Sequence, residues 1–207
     1  LHPMPYYRTL FSQRNDDYAV YVKSPFDQNQ RCLCVGRDVS SLYTRRGQEE
    51  YQKMSFYIYS AAMARMGNYL VFFPSYQMLQ EVFEEFLTAY TAEPVRCICQ
   101  KTGMDERERE EFLRAFQTEA EVESAQQESL VGFCVMGGIF SEGIDLIGDR
   151  LIGSVIVGVG LPQLNPLTEQ RRLYFEETFQ KGYLYAYLYP GFNKVMQAVG
   201  RVIRSDT

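Results

Sequence analysis

Two short apolar runs, YLVFF at 69–73 and SVIVGV at 154–159, restrict the possible folds more than any other feature of this chain. Each is too short to cross a membrane and has no polar residue to turn toward water beyond a single serine, so each reads as a strand buried on both faces. Strands of that kind belong to parallel sheets covered by helices. Segments with helical spacing do flank them. Residues 48–66 (QEEYQKMSFYIYSAAMARM) read as a helix ending near Gly67. After Pro74, Ser75 stands as an N-cap, and 76–90 carries Met78, Leu79, Val82, Phe83, Phe86 and Leu87 at helical intervals.

The same unit recurs along the chain. A strand is expected at 95–99, then Thr102 as a cap, a charged helix from about 104 to 117, and a strand at 130–136. A helix around 166–180, a Tyr-rich strand at 183–189 and a last helix from Pro190 come after it. Two further strands are expected at 18–23 and 31–36, and 118–129 reads as an exposed loop or helix end. This alternation predicts an α/β fold with a mainly parallel β-sheet flanked by helices. A chain of 207 residues, 46% apolar, can bury the core such a domain needs, and no internal repeat divides it.

The net charge of −5 argues mildly against a free-standing nucleic-acid-binding module, though a local basic groove is compatible with it. Five cysteines include the C-x-C pairs Cys32/Cys34 and Cys97/Cys99 and a single Cys134. Residues two apart in a strand face the same way, so each pair could hold a ligand. Both pairs sit in apolar strand-like runs and lack C-x₂-C spacing, which favours their reading as small hydrophobes over metal ligands. Their odd number and dispersal point to a reducing compartment. With no membrane-length apolar run and no visible signal peptide, the expected location is cytoplasmic.

Two segments carry chemistry. The loop after strand 130–136 reads GIFSEGID (138–145), with two glycines at P-loop spacing but Ile144 and Asp145 where Lys and Ser/Thr would be required. With Glu142 nearby, two carboxylates would repel a triphosphate laid there. Ligands of parallel α/β sheets nevertheless bind at the carboxyl ends of strands, where this loop lies. The alternative is a tight turn with solvated acids. The second segment is the last helix, PGFNKVMQAVGRVIRS. Val195, Val199 and Val202 form one apolar stripe, broadened by Met196 and Ile203. Gln197, Arg201 and Arg204 repeat that spacing about 200° around the helix. Such a face can be merely solvated. Gly200 inside the helix suggests close approach by something else, which makes the arginines a plausible anion clamp.

Taken together, GGIFSEGIDLIGDRLIGSVIVGVGLP followed by YPGFNKVMQAVGRVIRSD resembles motifs V and VI of the XPD/DinG-like branch of superfamily 2 helicases, in its bacterial DinG-related form. NYLVFFPSY resembles motif IV, and LHPMPYYRTLF resembles the segment just past the last motif of the first motor domain. The resemblance implies a RecA-like, P-loop NTPase-type helicase C-terminal domain without its own P-loop. It would occupy 1–207, with 1–45 as a connecting segment and 46–207 as the core, the first motor domain being absent from this chain.

In such motors the nucleotide lies between two domains. The resemblance implies that the first domain supplies the P-loop, the Mg²⁺-binding acids and the water-positioning carboxylate. Arg201 and Arg204 would reach the γ-phosphate of ATP as fingers, an effect typically worth about 10³–10⁵ in rate, with Gln197 organising that face. Asp145 would contact the ribose or the opposing domain, Glu142 and Gly143 would shape the junction of ATP and DNA, and Gly200 would leave room beside the nucleotide. Ser75 and Ser141 would contact the backbone of single-stranded DNA. The implied partners are that DNA and the N-terminal motor domain of the same polypeptide, with no membrane. ATP and Mg²⁺ would be shared with the first domain, and whether the parent carries an iron–sulfur cluster is left open.

The sequence contains no G-x-x-x-x-G-K-[ST] and no D-E-A-H-like box, so this piece alone is expected not to hydrolyse ATP. Two other classes compete with the helicase reading. A Rossmann-type oxidoreductase is suggested by GSVIVGVG at 153–160, but those glycines are expected to interrupt the strand instead of following it into a helix. The other is a non-catalytic interaction domain with a degenerate helicase fold.

Overall fold

The computed structural model describes residues 4–11, 14, 16–18, 20–22, 26–27, 29, 31–90, 92–116, 128–141, 146 and 148–202. Its centre is a four-stranded sheet of β1 (Asn68–Phe73), β2 (Val95–Cys99), β3 (Ser129–Val135) and β4 (Gly153–Ile156), ordered β2-β3-β1-β4. All three pairings are parallel. β1 and β3 are therefore the inner strands, and both are buried almost throughout. β4 takes an edge and is only half-buried, shorter and more open than the fully buried strand expected over 154–159.

Alternation along the inner strands separates two cores. Tyr69, Val71 and Phe73 of β1 and Val131 and Phe133 of β3 face one side. There they meet Met54, Ile58 and Ala62 of α2 (Gln48–Ala64) and Met78, Leu79, Val82 and Phe86 of α3 (Tyr76–Tyr90). Leu70, Phe72, Leu130 and Cys134 face the other side, with Phe112 of α4 (Glu106–Arg114), Phe116, Phe140 and Ala198 of α6 (Tyr189–Val199). Gly132 belongs to this second face for a steric reason. A Cβ there would lie 2.6 Å from Phe116 Cζ and 3.1 Å from Phe112 Cζ, inside ordinary contact distance.

Local signals set most helix boundaries. Ser75 caps α3 as expected, its Oγ accepting from the Met78 N–H at 3.3 Å. α4 starts later than expected, because Asp105 and not Thr102 is its cap. Asp105 accepts from the Glu108 N–H at 2.8 Å while Glu108 accepts from the Asp105 N–H at 3.0 Å, a reciprocal capping box. α5 (Pro166–Phe179) begins behind Asn165, which accepts from the Thr168 N–H, and stops at Gln180 in the left-handed region.

Three sequence expectations fail. Residues 31–36 form no strand: Leu33 and Val35 are 78% and 75% exposed, and Cys32 and Cys34 lie with them in open chain instead of packing as hydrophobes. The described part of 18–23 is likewise exposed and not in a strand, and most of 118–129 lies outside the described residues. The Tyr-rich segment is a wide helical turn, Leu184–Leu188, leading into α6. Its tyrosines stack at i, i+4, with Tyr183 on Tyr187 at 5.6 Å and Tyr185 on Tyr189 at 5.6 Å, a helical and not a strand relationship. Tyr185 and Tyr187 enter a third, aromatic core with Phe175 and with Tyr6 of α1 (Met4–Phe11). α1 thus docks against α5 and the turn that leads into α6, and Tyr7 Oη donates to Asn193 Oδ1 at 3.1 Å.

Candidate functional site at the carboxyl edge of the sheet

Parallel strands end together, so the segments leaving β1, β2 and β3 emerge side by side. The ladder runs one residue past β3, where the Met136 N–H donates to the Phe73 carbonyl at 2.8 Å. The chain then turns at Gly137, φ 69°, a conformation glycine adopts without cost. The next turns fold the loop on itself. The Gly138 N–H and the Ser141 hydroxyl both donate to the Val135 carbonyl, at 3.2 and 3.0 Å, and the Ser141 N–H donates to the Gly138 carbonyl at 2.9 Å. Phe140 anchors it, fully buried and stacked on Phe112 with centroids 4.1 Å apart. This is a rigid start for the acidic loop singled out in the sequence.

Gln100, just past β2, is a site residue that no motif or spacing marks in the sequence. It is buried and fully used. Its Oε1 accepts from the Val135 N–H at 2.9 Å, its Nε2 donates to Tyr76 Oη at 2.9 Å, and its own N–H donates to the Phe133 carbonyl at 2.8 Å. One amide therefore ties the start of α3, beside Ser75, to the root of the glycine loop. Burial pushes the Tyr76 phenol above its ordinary value, so it stays protonated in this network.

α6 brings the other half. Its core-facing residues are Val195 and Ala198, joined by Val202 from the turn after it, so the apolar stripe is centred on Ala198, while Met196 is exposed. Gln197 is exposed on the helix and Arg201 lies in the turn that ends it. Arg201 Nε donates to the Ser141 carbonyl at 2.9 Å, joining that turn to the loop after β3. Gly200 is the C-cap and not an interior glycine. It has ordinary helical φ, and a Cβ on it would meet only carbonyls of its own turn, Met196 O and Gln197 O. Its expected role in admitting a close neighbour has no counterpart among the described residues.

Of the residues expected to act, the structure brings Ser141 and Arg201 into contact and sets Ser75 at the neighbouring strand end. Ser141 is buried, with its hydroxyl turned to Val135, so it enters the site as a support of the loop. Glu142, Gly143, Asp145 and Arg204 lie outside the described residues. Gly158 and Gly160 come after β4 instead of interrupting it, contrary to expectation, and the chain runs without a helix from there to Pro166. A strand-loop-helix dinucleotide turn is therefore not formed.

The three cysteines of the sheet lie in a desolvated setting. Burial pushes Cys97 up to about 12 and Cys99 to about 11, and Cys134 well above its ordinary value, so all three are protonated thiols at neutral pH. Among the described residues no three potential metal ligands gather, and no helix is long and apolar enough to cross a membrane.

Comparison with known proteins agrees with this fold. Residues 58–207 match the helicase C-terminal domain family. A probable ATP-dependent helicase of Methanocaldococcus jannaschii is 26% identical over 198 residues, covering 89% of this chain and 28% of that protein. This chain thus spans little more than a quarter of that relative. Among solved structures, an XPD helicase superposes with a TM-score of 0.60 at 20% identity, over 81% of this chain and 28% of the other. An apo XPD structure gives 0.58 at 20% identity, over 79% and 31%. The likeness extends to the parallel sheet and its flanking helices.

Proposed function

The chain belongs to the helicase C-terminal domain family, and from that premise we propose that it is the second motor domain of an ATP-dependent DNA helicase, working against a first motor domain of the same polypeptide. The observation that carries the reading is the 2.9 Å bond from Arg201 Nε to the Ser141 carbonyl. It ties the turn that ends α6 to Ser141, from which the acidic segment of the sequence continues, and such a motor needs those two segments on one face.

The fit to ATP and Mg²⁺ is that of half a site. Arginine side chains suit a phosphate, because a guanidinium presents a rigid fork of donors that stays charged. The glycine loop of this chain, in contrast, has no lysine and carries two carboxylates, so the triphosphate and its Mg²⁺ are held chiefly by the other domain. In this arrangement Arg201 and Arg204 neutralise charge on the γ-phosphate, Gln197 orders their face, and Asp145 meets the ribose or the facing domain. Glu142 and Gly143 shape the seam between nucleotide and DNA. Ser75, at the start of α3, contributes a hydroxyl and a helix N-terminus to the single-stranded DNA track, and Ser141 holds the loop that borders it. The isolated chain does not turn over ATP.

The test is ATP hydrolysis by the full-length parent with and without single-stranded DNA, wild type against Arg204→Ala. A loss of about 10³-fold or more with DNA binding retained supports a finger role. Unchanged turnover, or a wild type indifferent to DNA, removes the motor reading.

A further inference from the structure

Gly137 and Gly160 lie far apart in sequence, yet the same side chain passes both. A Cβ on Gly137 would sit 3.4 Å from Lys194 Cε and 3.5 Å from its Cδ, and one on Gly160 would sit 3.3 Å from Lys194 Cδ. The Lys194 stem therefore runs from α6 across two bare stretches of backbone at the carboxyl edge of the sheet, with Met136 beside Gly160. This is how a long cationic side chain covers a surface while keeping its ammonium in water. Lys194 is half-buried, and no carboxylate among the described residues pairs with it. Around the axis of α6 it falls about 60° from Gln197, at 100° per residue, and Arg201 follows in the turn that ends the helix. Its head thus extends the row of polar groups by about one turn, from Gln197 toward the start of α6.

We propose that Lys194 is a phosphate-binding residue, placed by the Gly137 and Gly160 backbones so that its ammonium meets a phosphate oxyanion at the carboxyl edge of the sheet. This rests on the motor reading. A lysine suits the task because it is a compact point charge on a flexible stem, able to follow a phosphate that moves between states. The phosphate belongs either to the backbone of single-stranded nucleic acid or to the bound nucleotide, and the chemistry at Lys194 is the same.

The experiment uses the full-length parent, comparing wild type with Lys194→Met, which keeps an apolar stem and removes the charge, and Lys194→Arg, which keeps the charge. Binding of fluorescent oligothymidylate is measured across a salt series, and the KM for ATP with Mg²⁺ is measured at saturating oligonucleotide. For a nucleic-acid phosphate, Lys194→Met weakens oligothymidylate binding roughly 3- to 10-fold and lowers the salt slope by about 0.7, with KM unchanged and Lys194→Arg near wild type. For a nucleotide phosphate, KM rises instead and the salt slope holds. Wild-type binding and KM in Lys194→Met overturn the proposal while leaving the motor reading intact. So does a drop in thermal stability that Glu142→Gln or Asp145→Asn cancels, since Lys194 would then be an ion-pair partner. A wild type that binds neither ligand overturns both.

Discussion

The Arg201 guanidinium and the Ser141 carbonyl meet at 2.9 Å across 60 residues of chain, so the last turn of α6 and the loop after β3 cannot shift independently. A charged donor on a partly buried carbonyl is worth about 1–3 kcal/mol. Arg201→Ala should therefore lower unfolding stability by about that amount. Arg201→Lys, which keeps charge but loses the fixed Nε–H, should recover little of it. Urea unfolding followed by circular dichroism reads both, and a wild-type midpoint in Arg201→Ala would show the bond to be idle.

Gln100→Leu keeps the size of a buried side chain and deletes its hydrogen bonds. It strands the Val135 N–H and leaves Tyr76 Oη without its donor. The Val135 N–H loses its acceptor while the exposed Tyr76 can turn its hydroxyl to water, so a loss of about 1–3 kcal/mol is expected. Amide exchange at Val135 should rise more than exchange in α2, and uniform protection loss across the sheet would argue against a local bridge.

The strand core and the α3 region are legible in sequence because burial on both faces leaves nothing but apolar residues, as in YLVFF, and because Met78, Leu79, Val82 and Phe86 repeat at helical spacing. The failures have physical causes. RCLCVG has strand composition, but composition does not say whether a partner strand exists, and in the fold none pairs with it. The alternating tyrosines of 183–189 mimic a strand, yet their stacking at i, i+4 with α1 and α5 for neighbours makes a helix easier to pack. Gln100 and Lys194 left no trace because a single polar residue has no period. Their meaning comes from which strand ends lie adjacent, and that is a tertiary fact.

Thiol labelling separates the five cysteines. Cys32 and Cys34 are exposed, with sulfurs 3.8 Å apart, whereas burial holds Cys97, Cys99 and Cys134 protonated. Limiting maleimide at neutral pH should modify Cys32 and Cys34 first, as read by peptide mapping. Early modification of Cys97 or Cys99 would contradict the β2 packing.

Acid should weaken the clamp around Glu50. This buried carboxylate at the start of α2 accepts from the Ser40 N–H and pairs with Arg45 at 3.2 Å and Lys53 at 3.6 Å. The Ser40 N–H, assisted by the Lys53 and Arg45 charges, holds its carboxyl below the usual range. A depressed carboxylate stabilises the fold fully above its unfolded value, near about 4.3, and that contribution disappears as pH falls through the folded value. Glu50→Gln should be less stable than wild type at pH 7, with the gap closing below about pH 4. A gap that stays constant with pH would assign the loss to packing.

The sheet order also fixes when this domain can begin to exist. β1 pairs only with β3, which starts about 60 residues later, and with β4, which comes later still. At ribosomal rates of about 5–20 residues per second, the apolar segment Asn68–Phe73 emerges and waits for several seconds without a partner. A six-residue segment of that composition is adhesive while unpaired. Synthesis of this domain therefore includes an interval in which its most buried strand is its most vulnerable one, and yield in a cell will depend on what shields that strand before β3 arrives.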